Sequence, residues 1–322
     1  MTIAVGNRSY IGIGEEVTWG TAVAPDVFLL HNSEDLKADD EHLQAGEVFR
    51  VGVNADARVQ GKVTVAGGFT YNPRYFGKAL ARLLYHALGT KATARPDITS
   101  SATVYRHTLT PADELPTGLT VEVNKHLDAH VFSGCLVQSL RFGFDAQGLM
   151  TLAVAMMGKD GTNQDIPTAI ANYTEGHVVA IVNASVVLAG TTYKVLGGDL
   201  AIENALEPIY IPSARTPQSI VRGAEPRTVT GSFRAYLEDV SLWSRYRNFQ
   251  RGTLTLTFTG SAIDANYNYD LVFTLPVTLQ TSGTPQADSK GPLVVNTAFQ
   301  CFMDGGNANE CSIRVTNTSS TI

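Results

Sequence analysis

Five carboxylates crowd the stretch "EDLKADDEH": Glu34, Asp35, Asp39, Asp40 and Glu41. Paired carboxylates can divide general acid–base work between them when they face each other across a cleft. Acids gathered in one polar stretch lie side by side instead, so this one reads as a solvated face. His126 and His130 in "HLDAH" stand four residues apart. On a helix that spacing would put two metal ligands on one face, but here the pair bounds a turn between strands and has no third ligand nearby. "GIGEEVTWG" is glycine-rich, yet it does not lead from a strand into a helix as a dinucleotide-binding turn does. "GKDGTN" carries Gly-Lys without the glycine loop that precedes it in a phosphate-binding loop, and no GxSxG elbow, HExxH or EF-hand loop occurs. The expectation is a protein that is not an enzyme, with no catalytic, cofactor-binding or metal-ligating set.

Composition bounds the remaining classes. The chain has 322 residues, enough for about two domains. Hydrophobic residues make up 44% and charged residues only 17%, against about 25% charged in an average soluble domain. A surface so short of charge fits a β-rich protein, and equally one covered by other subunits. The net charge is −6, and no Lys/Arg cluster is present to grip nucleic acid. A wall that repels DNA fits the same charge. No apolar run approaches the ~20 residues that span a bilayer. The start "MTIAVGNRSYIGIGEE" lacks both the basic and the apolar regions of a secretory signal, so synthesis and folding in a cytoplasm are expected. The cysteines, Cys135, Cys301 and Cys311, are odd in number and lack CxxC spacing. Cys301 and Cys311 flank "MDGGNANE" and could face each other across a hairpin; two reduced, part-buried thiols are expected.

The elements that must carry these residues are strands. "TLTLTFTG" alternates, with Leu254, Leu256 and Phe258 on one face, which marks a half-buried strand. "YDLVFTLPVTL" is another, in which Pro276 predicts an edge position or a bulge. "LVVNTAFQCFMDGGNANECSIRVTN" reads as two strands about a turn. "LEDVSLWSRYRNFQRG" predicts a short helix capped by Asp239 and closed by Gly252, with Leu242, Trp243, Tyr246 and Phe249 as its apolar stripe. In the first half "GKVTVAGGFTY" is a strand. "NPRYFGKALARLLYHALG" is a helix with Asn72 as cap and Gly89 at its end, burying Phe76, Leu80, Leu83, Leu84 and Ala87. The strands "LTVEV", "HVFSGCLVQSLRFGF" and "GLMTLAVAMMGK" follow.

The halves run parallel. Thr64, Val65, Gly67 and Phe69 recur as Thr228, Val229, Gly231 and Phe233, 164 residues on, and Asp35-Leu36 recurs as Asp199-Leu200 at the same offset. The helix-ending glycines, Gly89 and Gly252, keep nearly that spacing. The reading is an internal duplication: an N-terminal arm over 1–29, a first β domain over 30–160 and a second over 161–322, joined near "GKDGTNQDIPT". Between the Asp-Leu and TVxGxF landmarks each half carries a long, loosely patterned stretch, around 37–60 and 203–226, that reads as an arm reaching toward a neighbour.

Several stretches resemble the tail tube (major tail) proteins of long-tailed, non-contractile bacteriophages. "YIGIGEEVTWGTAVAP" looks like their opening segment. "DLAIENALEPIYIPSARTPQSIVRGAEPRTVTGSFRAYLED" is similar to their second-repeat segment, and "FTLPVTLQTSGTP" and "PLVVNTAFQ" to their closing strands. The resemblance implies a mainly β structural protein, two tandem tail-tube-like β-sandwich or barrel domains each with one short flanking helix. It implies rings stacked into a hollow tube in the virion tail, built in the host cytoplasm. Partners would be other copies, a tape-measure protein, a tail terminator and baseplate proteins, with genomic DNA passing through the lumen unbound. Two domains per chain would make each ring of three copies a pseudo-hexamer. Glu207, Tyr210, Ile211, Arg215 and Arg222 are the expected inter-subunit residues. The rival readings are a terminator or baseplate hub ring, a contractile-tail inner tube and, from another class, a β-sandwich carbohydrate-active enzyme. That last would be expected to show opposed carboxylates and exposed aromatics, whereas only Trp19 and Trp243 are tryptophan and Trp243 falls on the helix stripe expected in the core.

Overall fold

A computed structural model describes residues 5–44, 58–99, 101–146, 148–170, 176–223, 225–282, 291–302 and 311–322. The alternating segments become strands, so the protein is mainly β, with two α-helices among the described residues and no closed barrel. One antiparallel run starts at the Lys37–Gln44 strand. It continues through Arg58–Tyr71, Thr151–Gly158 and Ala129–Asp145. It then crosses into the second half through Val195–Glu203, Thr228–Tyr236, Val294–Cys301 and Asn268–Ser282. In each half the order is the same: an Asp-Leu edge, the TVxGxF strand, a hairpin strand, then a long strand.

The long strands each bend from this run into a second layer. Ala129–Asp145 leaves Thr151–Gly158 to pair with Asp160–Gln164 and Leu119–Asn124, and beyond them lie Tyr10–Glu15 and Val27–Leu29. Asn268–Ser282 likewise reaches Ser312–Asn317 and Gly252–Ala262, with Ala184–Leu188 and Thr191–Tyr193 outside. Residues 10–15, within the expected 1–29 arm, form sheet, and Ile11 and Ile13 are wholly buried. Pro276 is at neither an edge nor a bulge. It sits where its strand changes partner, from Ser312 opposite Thr274 to Cys301 opposite Val277, so its missing N–H falls in a gap of the ladder. The expected turn at 303–310 lies outside the described residues.

The repeated landmarks have a steric cause. A Cβ on Gly67 would stand 2.4 Å from the Asp35 carbonyl oxygen, and one on Gly231 would stand 2.4 Å from that of Asp199. Each glycine lets the preceding Asp-Leu backbone close onto its strand, which fixes both landmarks at once. Gly67 also has φ +123, a backbone conformation that side chains rarely adopt.

The helices differ from their predicted form. Asn72 caps nothing; its amide donates to the Met150 carbonyl at 2.9 Å and accepts from Asn32 at 3.0 Å, and the helix spans Ala79–Leu88. Leu80, Leu83, Leu84 and Ala87 are buried as expected, while Phe76 lies before the helix and is half-buried. Gly89 ends it at φ +113. In the second helix, Ser241–Arg247, only Leu242 is buried. Trp243 and Tyr246 stand outward and Phe249 is 81% exposed, so the apolar stripe is a surface rather than core. Asp239 does accept the Ser241 N–H at 2.8 Å.

Gly67→Ala and Gly231→Ala each force a methyl group into backbone. Both should lower stability by about 2 kcal/mol or more, Gly67→Ala the more because of its φ, as read by urea denaturation of the purified chain. A second prediction concerns His86, which is wholly buried in the first helix with neither ring nitrogen hydrogen-bonded. Burial, then the charges of Arg82 and Lys91, hold its pKa at about 3, below the usual 6.5. As pH falls below 6.5 the unfolded chain takes up this proton and the folded chain does not. The stability contribution is thus complete above that pH and drops by about 1.4 kcal/mol per unit beneath it. His86→Leu should flatten the loss between pH 6 and pH 5; an unchanged slope would show that His86 is not its source.

Candidate functional site

The residues that looked chemical are held in structural roles. All of Lys37–Gln44 is exposed. Asp39 pairs with Lys37 at 2.7 Å and Asp35 accepts the Gly68 N–H at 2.7 Å. His126 accepts the Val5 N–H at 3.2 Å and meets Arg8 at 3.1 Å. Among the described residues no group of three or more His, Cys, Asp or Glu could hold a metal. The three cysteines are free thiols. In "GIGEEVTWG" the buried Glu16 carboxylate accepts from the Gly20 and Gly134 amides at 2.7 and 2.8 Å and from the Thr120 hydroxyl at 2.9 Å. It pins a loop whose Trp19 indole donates to Gly134.

A second buried network lies where the halves meet. Residues 139–145 pair along 197–203, and behind this seam Phe142 stacks edge-on to Phe273 with centroids 5.1 Å apart, as Phe144 does to Phe258 at 5.5 Å. Asn204, wholly buried at the end of the seam, donates to the carbonyls of Ala87 and Val137 at 3.0 and 2.8 Å. Its own oxygen accepts from Arg227 at 2.6 Å. Burial and the neighbouring Arg222 lower the Arg227 pKa to about 10.

From Asn204 the second arm continues as a hairpin of Leu206–Ile209 and Ser219–Arg222 laid back on the first half. Leu206 and Ile220 pack with Leu136 against Trp19, Leu115 and Met157. At its tip Tyr210 donates to the Val63 carbonyl at 2.9 Å. Arg215 donates to the Gly61 carbonyl and to Gln60, each at 2.9 Å, and pairs with Asp40 at 2.5 Å. Arg222 reaches the Ala112 carbonyl at 3.3 Å. Of the five expected inter-subunit residues, Tyr210, Arg215 and Arg222 thus have partners in their own chain. Glu207 and Ile211 face outward. In the first arm, residues 45–57 lie outside the described residues.

Beside one-sided strands such as Gly89–Ala94 and Thr191–Tyr193, two open surfaces among the described residues bear on assembly. One is the strip Ser33–Glu34 and Lys37–Gln44, which pairs only with Arg58–Tyr71 among the described residues. The other is the apolar face of the Ser241–Arg247 helix. The family described as phage tail tube protein matches residues 6–301. The chain belongs to that family. No curated protein matches the chain. A tail tube protein is a structural component of the virion tail and self-assembles into a tube, so its open edges and faces are where copies can meet. No helix among the described residues is long and apolar enough to cross a membrane.

The resemblance marks Asn204 as the start of an Asn-x-x-Glu-Pro ahead of the second arm but not as a buried group, although a polar residue between Ile202 and Leu206 is a signal of one. Asn204→Ala in this tail tube protein removes the donor to two carbonyls and the acceptor of the Arg227 Nε–H, leaving that guanidinium its 3.4 Å bond to the Ala112 carbonyl. The cost should be about 3 kcal/mol in urea denaturation; an unchanged midpoint would remove Asn204 from the account of the seam.

Proposed function

We propose that this chain is the repeating wall unit of a hollow tail tube, in which copies join edge to edge into rings and the rings stack. The observation that carries the reading is the seam itself: two like-ordered sheets already join through a hydrogen-bonded edge, and the outer edge of the first remains open. An open edge invites strand addition, and a ring removes it without starting an aggregate. Each half, 30–160 and 161–322, would then supply one wall segment from a duplicated ancestor, so three copies make a pseudo-hexameric ring. The hairpin presents Glu207 and Ile211 to the adjacent ring, while Tyr210, Arg215 and Arg222 hold it in place. In the virion the tube would enclose a tape-measure protein during assembly and meet a terminator and baseplate proteins at its ends. A wall of net negative charge lets the genome pass by repulsion rather than by binding.

Electron microscopy of assembled tubes, averaged down the axis, should show three chains per ring with near six-fold density. Six chains per ring would contradict the two-segment wall, and rings that never stack would contradict the tube.

A further inference from the structure

The two arms begin alike and end in different surroundings. At the base of the second arm Leu206 and Ile220, on its two paired strands, are 8% and 9% exposed because Leu115, Leu136, Met157 and Trp19 cover them. At the base of the first arm Leu43 and Val59 face each other across the ladder and are 51% and 65% exposed. Both pairs follow the Asp-Leu edge of their half. An exposed cross-strand apolar pair beside an open edge is an unfilled contact.

Its counterpart is found by following the seam. Leu115 lies in the turn that enters the Leu119–Asn124 strand, and the same place in the second half, the turn into Gly252–Ala262, holds Phe249. Leu119 pairs with Cys135, and Gly252 with Val277, at matching points on the two long strands. In the first half a hairpin of Gly89–Ala94 and Tyr105–Pro111 follows the helix, packs against it and joins the second half through Ser312–Asn317. The second half passes from helix to strand with no such insertion, leaving Val240, Trp243, Tyr246 and Phe249 uncovered. Asp39 and Asp40 near Leu43 are paired with Lys37 and Arg215 in their own chain, so the apolar side chains rather than charge carry the fit.

We infer that Leu43 and Val59 of one copy pack on Phe249 of a second copy, beside its Ser241–Arg247 helix, repeating between chains the contact that Leu206 and Ile220 make with Leu115 within one. This rests on the ring reading and adds the surfaces that meet. Burial of three such side chains at a well-packed centre suits the small cluster that dominates an interface.

The test mixes full-length chains carrying only Leu43→Cys with chains carrying only Phe249→Cys, extends sheared virion tails as seeds, and maps oxidised peptides by mass spectrometry. A 43–249 disulfide can form only between copies, and its appearance in extended tubes is the expected result. Phe249→Asp, at so exposed a position, should keep the subunit's melting temperature while raising the concentration needed for elongation at least about tenfold. Tubes that grow without the 43–249 link, and a Phe249→Asp chain that elongates like the wild type, would overturn the inference and leave the ring reading standing. A wild-type chain that cannot extend the seeds would overturn both.

Discussion

The antiparallel pairing of residues 139–145 with 197–203 is the contact on which the rest of the structure depends. It converts two short sheets into one run and lets Phe142 and Phe144 share a core with Phe273 and Phe258. Each such ring, taken out of water, contributes roughly 2–3 kcal/mol to holding the halves together. Asn204 then closes the seam where apolar packing stops, tying the last turn of the first helix to the second arm. The run has unlike outer ends, the one-sided Lys37–Gln44 strand and the long Asn268–Ser282 strand, which the Ser241–Arg247 helix flanks. Such ends suit head-to-tail closure into a ring.

Much of the fold was legible because its causes are local. TVxGxF and Asp-Leu recur together since each glycine admits the backbone of its own Asp-Leu pair. Leu80, Leu83 and Leu84 keep helical spacing because one face of that helix is core. The same reasoning failed for Trp243, Tyr246 and Phe249, since periodicity identifies an apolar face without saying whether the same chain covers it. Pro276 was misplaced for a related reason. A partner change within one long strand offers proline a gap that strand pattern alone does not reveal.

The arms were legible as segments but not as contacts. Their loose patterning marks them as something other than core, yet the bonds of Tyr210 and Arg215 to Val63, Gln60 and Asp40 span about half the sequence and leave no periodic trace. The acidic stretch shows the same limit. Asp35 and Asp40 are fixed by a backbone amide and an arginine that only the fold brings near.

Hydrogen exchange across the outer edge tests the central claim most directly, because it compares one strand in the free subunit and in the intact tube. The outward amides of Ser33–Gln44 should exchange quickly in the subunit and become as protected in the tube as those of Val195–Glu203, which are already paired in the seam. If they exchange equally fast in both states while Val195–Glu203 stays protected, the proposed ring is not closed by repeating the seam.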